Sequence, residues 1–270
     1  MRASSSSLFK KVCVAICAIL IAGDVAFALY VRASQTDYGG AQQDSMESLP
    51  YRANPVSVKD WSADIDGMDL ASRIDQTKDA DVIIRASLDD DNKDVGYGAI
   101  LASVRVLEVY RGDFISPGDC VTIIEPYEIS ELSQQEMQFI RDETPDDYDA
   151  LLDMLGISDG DEIHVMQPNG EPYVSGTLPI SESGEYLMFL DVADSHLARD
   201  SDAAALTYIS TPFSCLSLRS DESSEIWERG RYVPVDTLNG VSFLAIDAET
   251  NDRYQQIAAD MLAYAEEQSD

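Results

Sequence analysis

Residues 104–126 read VRVLEVYRGDFISPGDCVTIIEP, and the fold turns on this stretch. Two β-branched runs, VRVLEVY at 104–110 and CVTIIEP at 120–126, flank the connection RGDFISPGD at 111–119. Gly, Pro and Asp crowd that connection, supplying positive φ, a preset φ and side-chain-capped turns. Strand, turn-rich connection and strand make a β-hairpin pattern. Pro117-Gly118-Asp119 is its best-marked turn.

Working outward, ADVIIRASL at 80–88 reads as a buried-type strand centred on Val82-Ile83-Ile84. DDDNKDVGYG at 89–98 reads as a turn-rich connection, and AILASVRVLEVY at 99–110 alternates. Residues 129–158 change character and predict a helical insertion of two short helices, divided near Thr144-Pro145. Tyr148, Leu151, Leu152 and Leu155 fall at helical spacing, and Gly156 is a helix stop. Strands return at 185–193, 205–210, 214–220, 231–236 and 241–247. A last helix is predicted over 249–266, capped by Thr250 or Asn251. Its stripe of Tyr254, Ile257, Ala258, Met261, Leu262 and Ala265 is expected to pack on the strands. A short helix is expected over 68–76, with Leu70, Ala71 and Ile74 inward. Many short strands, terminal helices and no βαβ rhythm give an α+β fold class. A small antiparallel β-barrel, closed or nearly so, disposes of the strand edges.

The chain has 270 residues, 45% of them hydrophobic, which is enough for a real core. Its formal net charge is -32. The first 32 residues hold Arg2, Lys10, Lys11 and Arg32 against one acid, Asp24, so the acid excess belongs to the remainder. Such a surface repels phosphate backbones and excludes nucleic acid as a partner. It favours cations, basic partners or plain solubility.

Residues 12–31, VCVAICAILIAGDVAFALYV, match the thickness of a hydrocarbon core at about 30 Å as a helix. Lys10 and Lys11 precede the segment, which places the N-terminus in the cytoplasm and residues 33–270 outside. Asp24 interrupts the apolar run, and Ala26-Phe27-Ala28 matches a small-x-small cleavage site. Two readings follow: a single-pass membrane anchor, or a signal peptide cleaved near Ala28. Cys13 and Cys17 lack the context of a lipidated cysteine. Residues 33–66 are polar and irregular, with Gly39-Gly40, Pro50 and Pro55, and read as a linker from which Trp61 can tuck back. The extracytoplasmic domain then spans 67–270.

The order ADVIIRASL, VRVLEVYRGDFISPGDCVTI and, after a long gap, GEYLMFL resembles uncharacterised extracytoplasmic domains of bacteria. These look like small OB-type barrels, similar in outline to netrin-like domains. The resemblance covers roughly residues 69–247. It implies that VLEVYRGD and PGD join two barrel strands and that GEYLMFL is a core strand. It brings no catalytic residues, and fold analogy does not fix a ligand. The apolar N-terminal segment, the acidic remainder and the lack of a catalytic constellation lead to the expectation of a non-enzymatic binding or cell-envelope role with no cofactor.

Four candidates remain. Cys120 and Cys215 are the only cysteines beyond residue 32, and outside the cytoplasm such a pair invites a disulfide. The alternative is two thiols that never meet. YISTPFSCLSLR at 208–219 resembles sortase transpeptidases, which implies Cys215 as nucleophile, His164 or His196 as base and Arg219 as oxyanion partner. The Thr-Leu-x-Thr-Cys run and Gly-His context of that family are missing here. Asp89, Asp90, Asp91, Asn92 and Asp94 form a candidate cation-binding turn that begins like a calcium loop. Val95 stands where such a loop needs Gly, and Leu101 where it needs Glu. A calcium-responsive adhesion module and a solvated acidic turn are both open. Histidine and cysteine spacing matches no zinc site. Arg111-Gly112-Asp113 resembles an adhesion tripeptide. That role requires Arg111 and Asp113 splayed at an exposed loop tip; the other reading is a hairpin turn.

Overall fold

The computed structural model describes residues 49–62, 69–96, 99–169, 176–181, 184–193, 205–209, 213–218, 223–226, 232–238 and 241–268. In chain order the first elements are β1 (Pro50–Arg52), α1 (Val58–Ser62), α2 (Leu70–Lys78), β2 (Val82–Gly96), β3 (Ala99–Arg111), β4 (Cys120–Glu125) and β5 (Tyr127–Glu131). Then come α3 (Gln134–Glu143), α4 (Pro145–Leu155), β6 (His164–Pro168), β7 (Glu185–Val192), β8 (Leu206–Tyr208) and β9 (Cys215–Ser217). The last are β10 (Ser223–Ile226), β11 (Tyr232–Pro234), β12 (Val241–Ala245) and α5 (Ala248–Glu267).

The fold is α+β around a closed five-stranded barrel. The ring runs β2-β3-β4-β8-β7, and β7 returns to β2 through the register Val82↔Leu190 to Ser87↔Glu185. β9 prolongs the wall by pairing with the first half of β7. The expected antiparallel barrel needs one correction, because β4 and β8 run parallel, Ile123 opposite Leu206. The reason is topological. Directions cannot alternate all the way round a ring with an odd number of strands, so at least one neighbouring pair must be parallel.

The strand period of two sorts the side chains. Val82, Ile84 and Ala86 of β2 join Met188 and Leu190 of β7 inside the barrel. Ile83, Leu187 and Phe189 point the other way, into a second core beneath α5. These strands are buried on both faces at Val82–Ile84 and Leu187–Leu190, which is why VII and LMFL read as apolar runs. Tyr254, Ile257, Met261 and Ala265 of α5 are buried in that second core, as the stripe predicts. The cap lies earlier than Thr250: Asp247 accepts the Thr250 N–H at 2.8 Å.

The 89–98 connection is corrected too. β2 continues to Gly96, with Lys93↔Ala102 and Gly96↔Ala99 paired to β3. The register jumps between Leu88↔Val104 and Lys93↔Ala102, so residues 89–92 bulge opposite the single residue Ser103. The acid-rich run is therefore a bulge within a long hairpin.

A second sheet, β11-β1-β6-β5, stands beside the barrel. It recruits residues 50–52 from the expected linker, with Tyr51 paired to both Val233 and Met166. Trp61 is buried against Phe213 and Phe243. Residues 49–62 thus belong to the domain. The helical insertion is α3 and α4, between β5 and β6, but it starts later than expected because residues 129–131 belong to strand β5. Ser133 and Glu136 make a reciprocal capping box on α3, Pro145 opens α4 and Gly156 ends it. The N-terminal residues 12–31 lie outside the described residues. Among the described residues no helix is long and apolar enough to cross a membrane.

Candidate functional site

The alternation of β4 turns Ile123 into the barrel, and parity turns Glu125 the same way. Glu125 is wholly buried, 0% exposed, whereas the Lys93 side chain that meets it is 15% exposed. Lys93 Nζ lies 2.7 Å from Glu125 Oε1. This is an ion pair by distance, although its angles do not make a hydrogen bond to that oxygen. The other oxygen, Oε2, accepts the Ile180 N–H at 2.8 Å. A buried carboxylate needs both a counter-charge and hydrogen bonds, and this one has a cation on one oxygen and an amide on the other.

Three phenols surround the pair. Tyr51 Oη donates to the Thr177 carbonyl at 3.2 Å, and Tyr127 Oη donates to Thr177 Oγ1 at 3.1 Å. The two rings meet edge to face, 6.1 Å between centroids. Tyr208 Oη is buried beside the Cys215 thiol, a soft partner, without a well-aligned hydrogen bond. Burial pushes all three phenols up, with the Glu125 charge adding to it in each case. They stay neutral at physiological pH, and Tyr51 and Tyr127 act as donors rather than bases.

The residues singled out from the sequence are dispersed. Cys120 and Cys215 are not bonded to each other, the second of the two readings left open by the sequence. Cys120 opens β4 opposite Arg105, exposed, whereas Cys215 is buried on β9 opposite Met188. Cys120 Sγ donates to Asp89 Oδ2 at 3.1 Å. That hydrogen bond to a carboxylate pushes the Cys120 thiol up, away from thiolate. Arg105 holds the other Asp89 oxygen at 2.5 Å, so this carboxylate is engaged by the protein's own donors. The side chains of Asp90, Asp91, Asn92 and Asp94 lie outside the described ones. Among the described residues no group of His, Cys, Asp and Glu is arranged to hold a metal. His164 starts β6, opposite Glu131, on a different sheet from Cys215. His196 and Arg219 lie outside the described residues.

The Arg-Gly-Asp tripeptide is a clamp with one arm. Arg111 ends β3 and donates to the carbonyls of Lys78 at 2.8 Å and Ala80 at 3.0 Å. Its second nitrogen donates to Tyr264 Oη at 2.8 Å and Gln268 Oε1 at 2.9 Å. Arg111 therefore ties the end of α2 to α5 instead of splaying outward with Asp113, which is exposed. Gly112 turns the chain at φ 126. Arg111→Met keeps the stem but removes all four hydrogen bonds. It is expected to cost about 2 kcal/mol of stability, because charge-assisted bonds to partly buried carbonyls are lost. A urea titration measures this as a lower midpoint at unchanged slope.

Sequence reasoning missed Lys93, Glu125, Tyr51, Tyr127 and Tyr208 as a group. One signal was present: in CVTIIEP an acid occupies an inward position of an apolar alternation. Compared with known proteins, the chain matches no family model and no curated sequence.

Proposed function

We propose that residues 67–270, with the strand recruited from 50–52, form a non-enzymatic binding domain of OB type. Residues 12–31 hold it outside the membrane as an anchor or direct its export as a signal. Its role is in binding or cell-envelope interaction. The OB part rests on the ring order. Counted within the barrel alone, the strands follow 1-2-3-5-4, with the third and fifth parallel. The placement outside rests on Lys10 and Lys11 before a long apolar run. The acidic surface favours a cationic partner.

One observation carries the non-enzymatic reading: the two thiols are committed to the fold. Cys215 is packed among Ile84, Met188 and Leu206, and Cys120 is held on Asp89. A membrane-impermeant maleimide applied to intact cells tests both halves of the proposal at once. The expected result is labelling of Cys120 before lysis and much slower labelling of the buried Cys215 in the native chain. Labelling of Cys120 only after lysis overturns the placement outside. Labelling of Cys215 faster than Cys120 in the native chain overturns the non-enzymatic reading in favour of a thiol nucleophile.

A further inference from the structure

The buried ion pair also holds a cover in place. Residues 176–181 cross the end of the barrel where β4 finishes, and their ties are of two kinds. At Gly176 the tie is backbone: its N–H donates to the Asn54 carbonyl and its carbonyl accepts from Leu244 N–H, at 2.9 and 2.8 Å. Further along, the ties are to side chains. Thr177 takes the two tyrosine hydroxyls, the Ile180 N–H goes to Glu125, and the Ser181 N–H goes to Tyr186 Oη at 2.8 Å. The Glu125 tie involves a full charge, and Lys93 balances that charge.

We propose that the Lys93–Glu125 pair is a latch. It holds residues 176–181 as a strap over the tyrosine-lined interior, and drawing Lys93 outward lets the strap lift while the barrel ring stays intact. Three features carry this. Lys93 is the only partly exposed member of the pair, so the pair opens from its side. The bulge at 89–92 interrupts the β2–β3 ladder between Leu88 and Lys93, so β2 beyond the bulge can shift without breaking the β2–β7 closure at 82–87, while β3 stays paired to β4 from Ile100↔Glu125 to Arg105↔Cys120. Once Lys93 leaves, a buried carboxylate held by one amide is strongly disfavoured, and hydrating it requires the Ile180 segment to move. Lifting the strap uncovers Tyr51, Tyr127, Tyr208 and Cys215. The inference rests on the barrel geometry and does not depend on where the domain is located.

Cys215 reports the opening. The native full-length chain is treated with iodoacetamide, and alkylation is followed on the Cys215 peptide by mass spectrometry, with Cys120 as internal control. In the wild type, Cys215 alkylation at low urea is expected to proceed with a much weaker urea dependence than global unfolding. Lys93→Met is expected to raise the Cys215 rate about tenfold while the Cys120 rate and near-ultraviolet circular dichroism stay unchanged. Glu125→Gln keeps an acceptor for Ile180 but removes the charge, and is expected to act in the same direction. The proposal is overturned if Cys215 reacts in the wild type only with the urea dependence of global unfolding. It is equally overturned if either folded variant leaves the Cys215 rate unchanged. Should Lys93→Met fail to fold, the wild-type urea dependence and Glu125→Gln decide.

Discussion

Phe243→Ala is expected to lower the stability of the domain by about 3–5 kcal/mol, the range for deleting a buried aromatic ring. The ring is fully buried in the core between the outer wall of the barrel and α5. It stacks on Tyr254 with centroids 3.9 Å apart and planes 8° from parallel, and meets Trp61 at 5.8 Å. Three elements far apart in sequence, α1, β12 and α5, converge on this side chain. Backbone bonds also frame the site: Val56 N–H donates to the Leu244 carbonyl and Ile246 N–H to the Val56 carbonyl, at 3.2 and 3.1 Å. That frame resists collapse around the void, which places the cost toward the upper part of the range. Urea denaturation checks this through the midpoint. Native hydrogen exchange should also show loss of protection in α5 before the barrel strands.

Gly176→Ala is expected to cost about 2–4 kcal/mol for the opposite reason, crowding in place of a void. The backbone there has φ 86, where an L side chain is strained. A Cβ would lie 2.5 Å from Phe243 Cζ and 2.7 Å from Val56 Cγ1. Val56 belongs to the framed segment, and the Phe243 ring is held between Tyr254 and Trp61, so neither can yield cheaply. The two substitutions share the Phe243 ring and therefore should not add. Removing the ring relieves the shortest of the new contacts but not the one to Val56. The double variant is expected to fall short of the summed cost by about 1 kcal/mol, measurable in a double-mutant cycle.

The local features were legible because local chemistry specifies them. Thr144-Pro145 divides two helices because Pro suits a first helical turn and nothing later. The apolar stripe on α5 repeats at helical spacing, and its buried residues follow that spacing. The run at 80–88 showed that one strand is buried on both sides, though not what covers either face. The acidic run at 89–92 misled, since a bulge and a turn use the same residue types and only pairing to a partner strand separates them. β1, β5, β6 and β10 escaped notice because short strands carry little periodicity, and β1 finds its partners more than a hundred residues away, at Met166 and Val233.

The candidate site was less legible. Cysteines, histidines, clustered acids and an Arg-Gly-Asp triplet draw attention by type, yet the described ones serve separate parts of the fold. Lys93 and Glu125 look ordinary in a chain with 50 acids, and become a pair only when β2 and β4 curve round one barrel. Sequence by itself determined the α+β class, the hairpin around 104–126, both insertion helices and the inner stripe of α5, because spacing and turn chemistry act over a few residues. Tertiary structure alone decided ring closure, the parallel β4–β8 pair, the separation of the thiols and the burial of Glu125 beneath residues 176–181. Each of these depends on which distant strands become neighbours, and an alternation of side chains says which face is buried without saying against what.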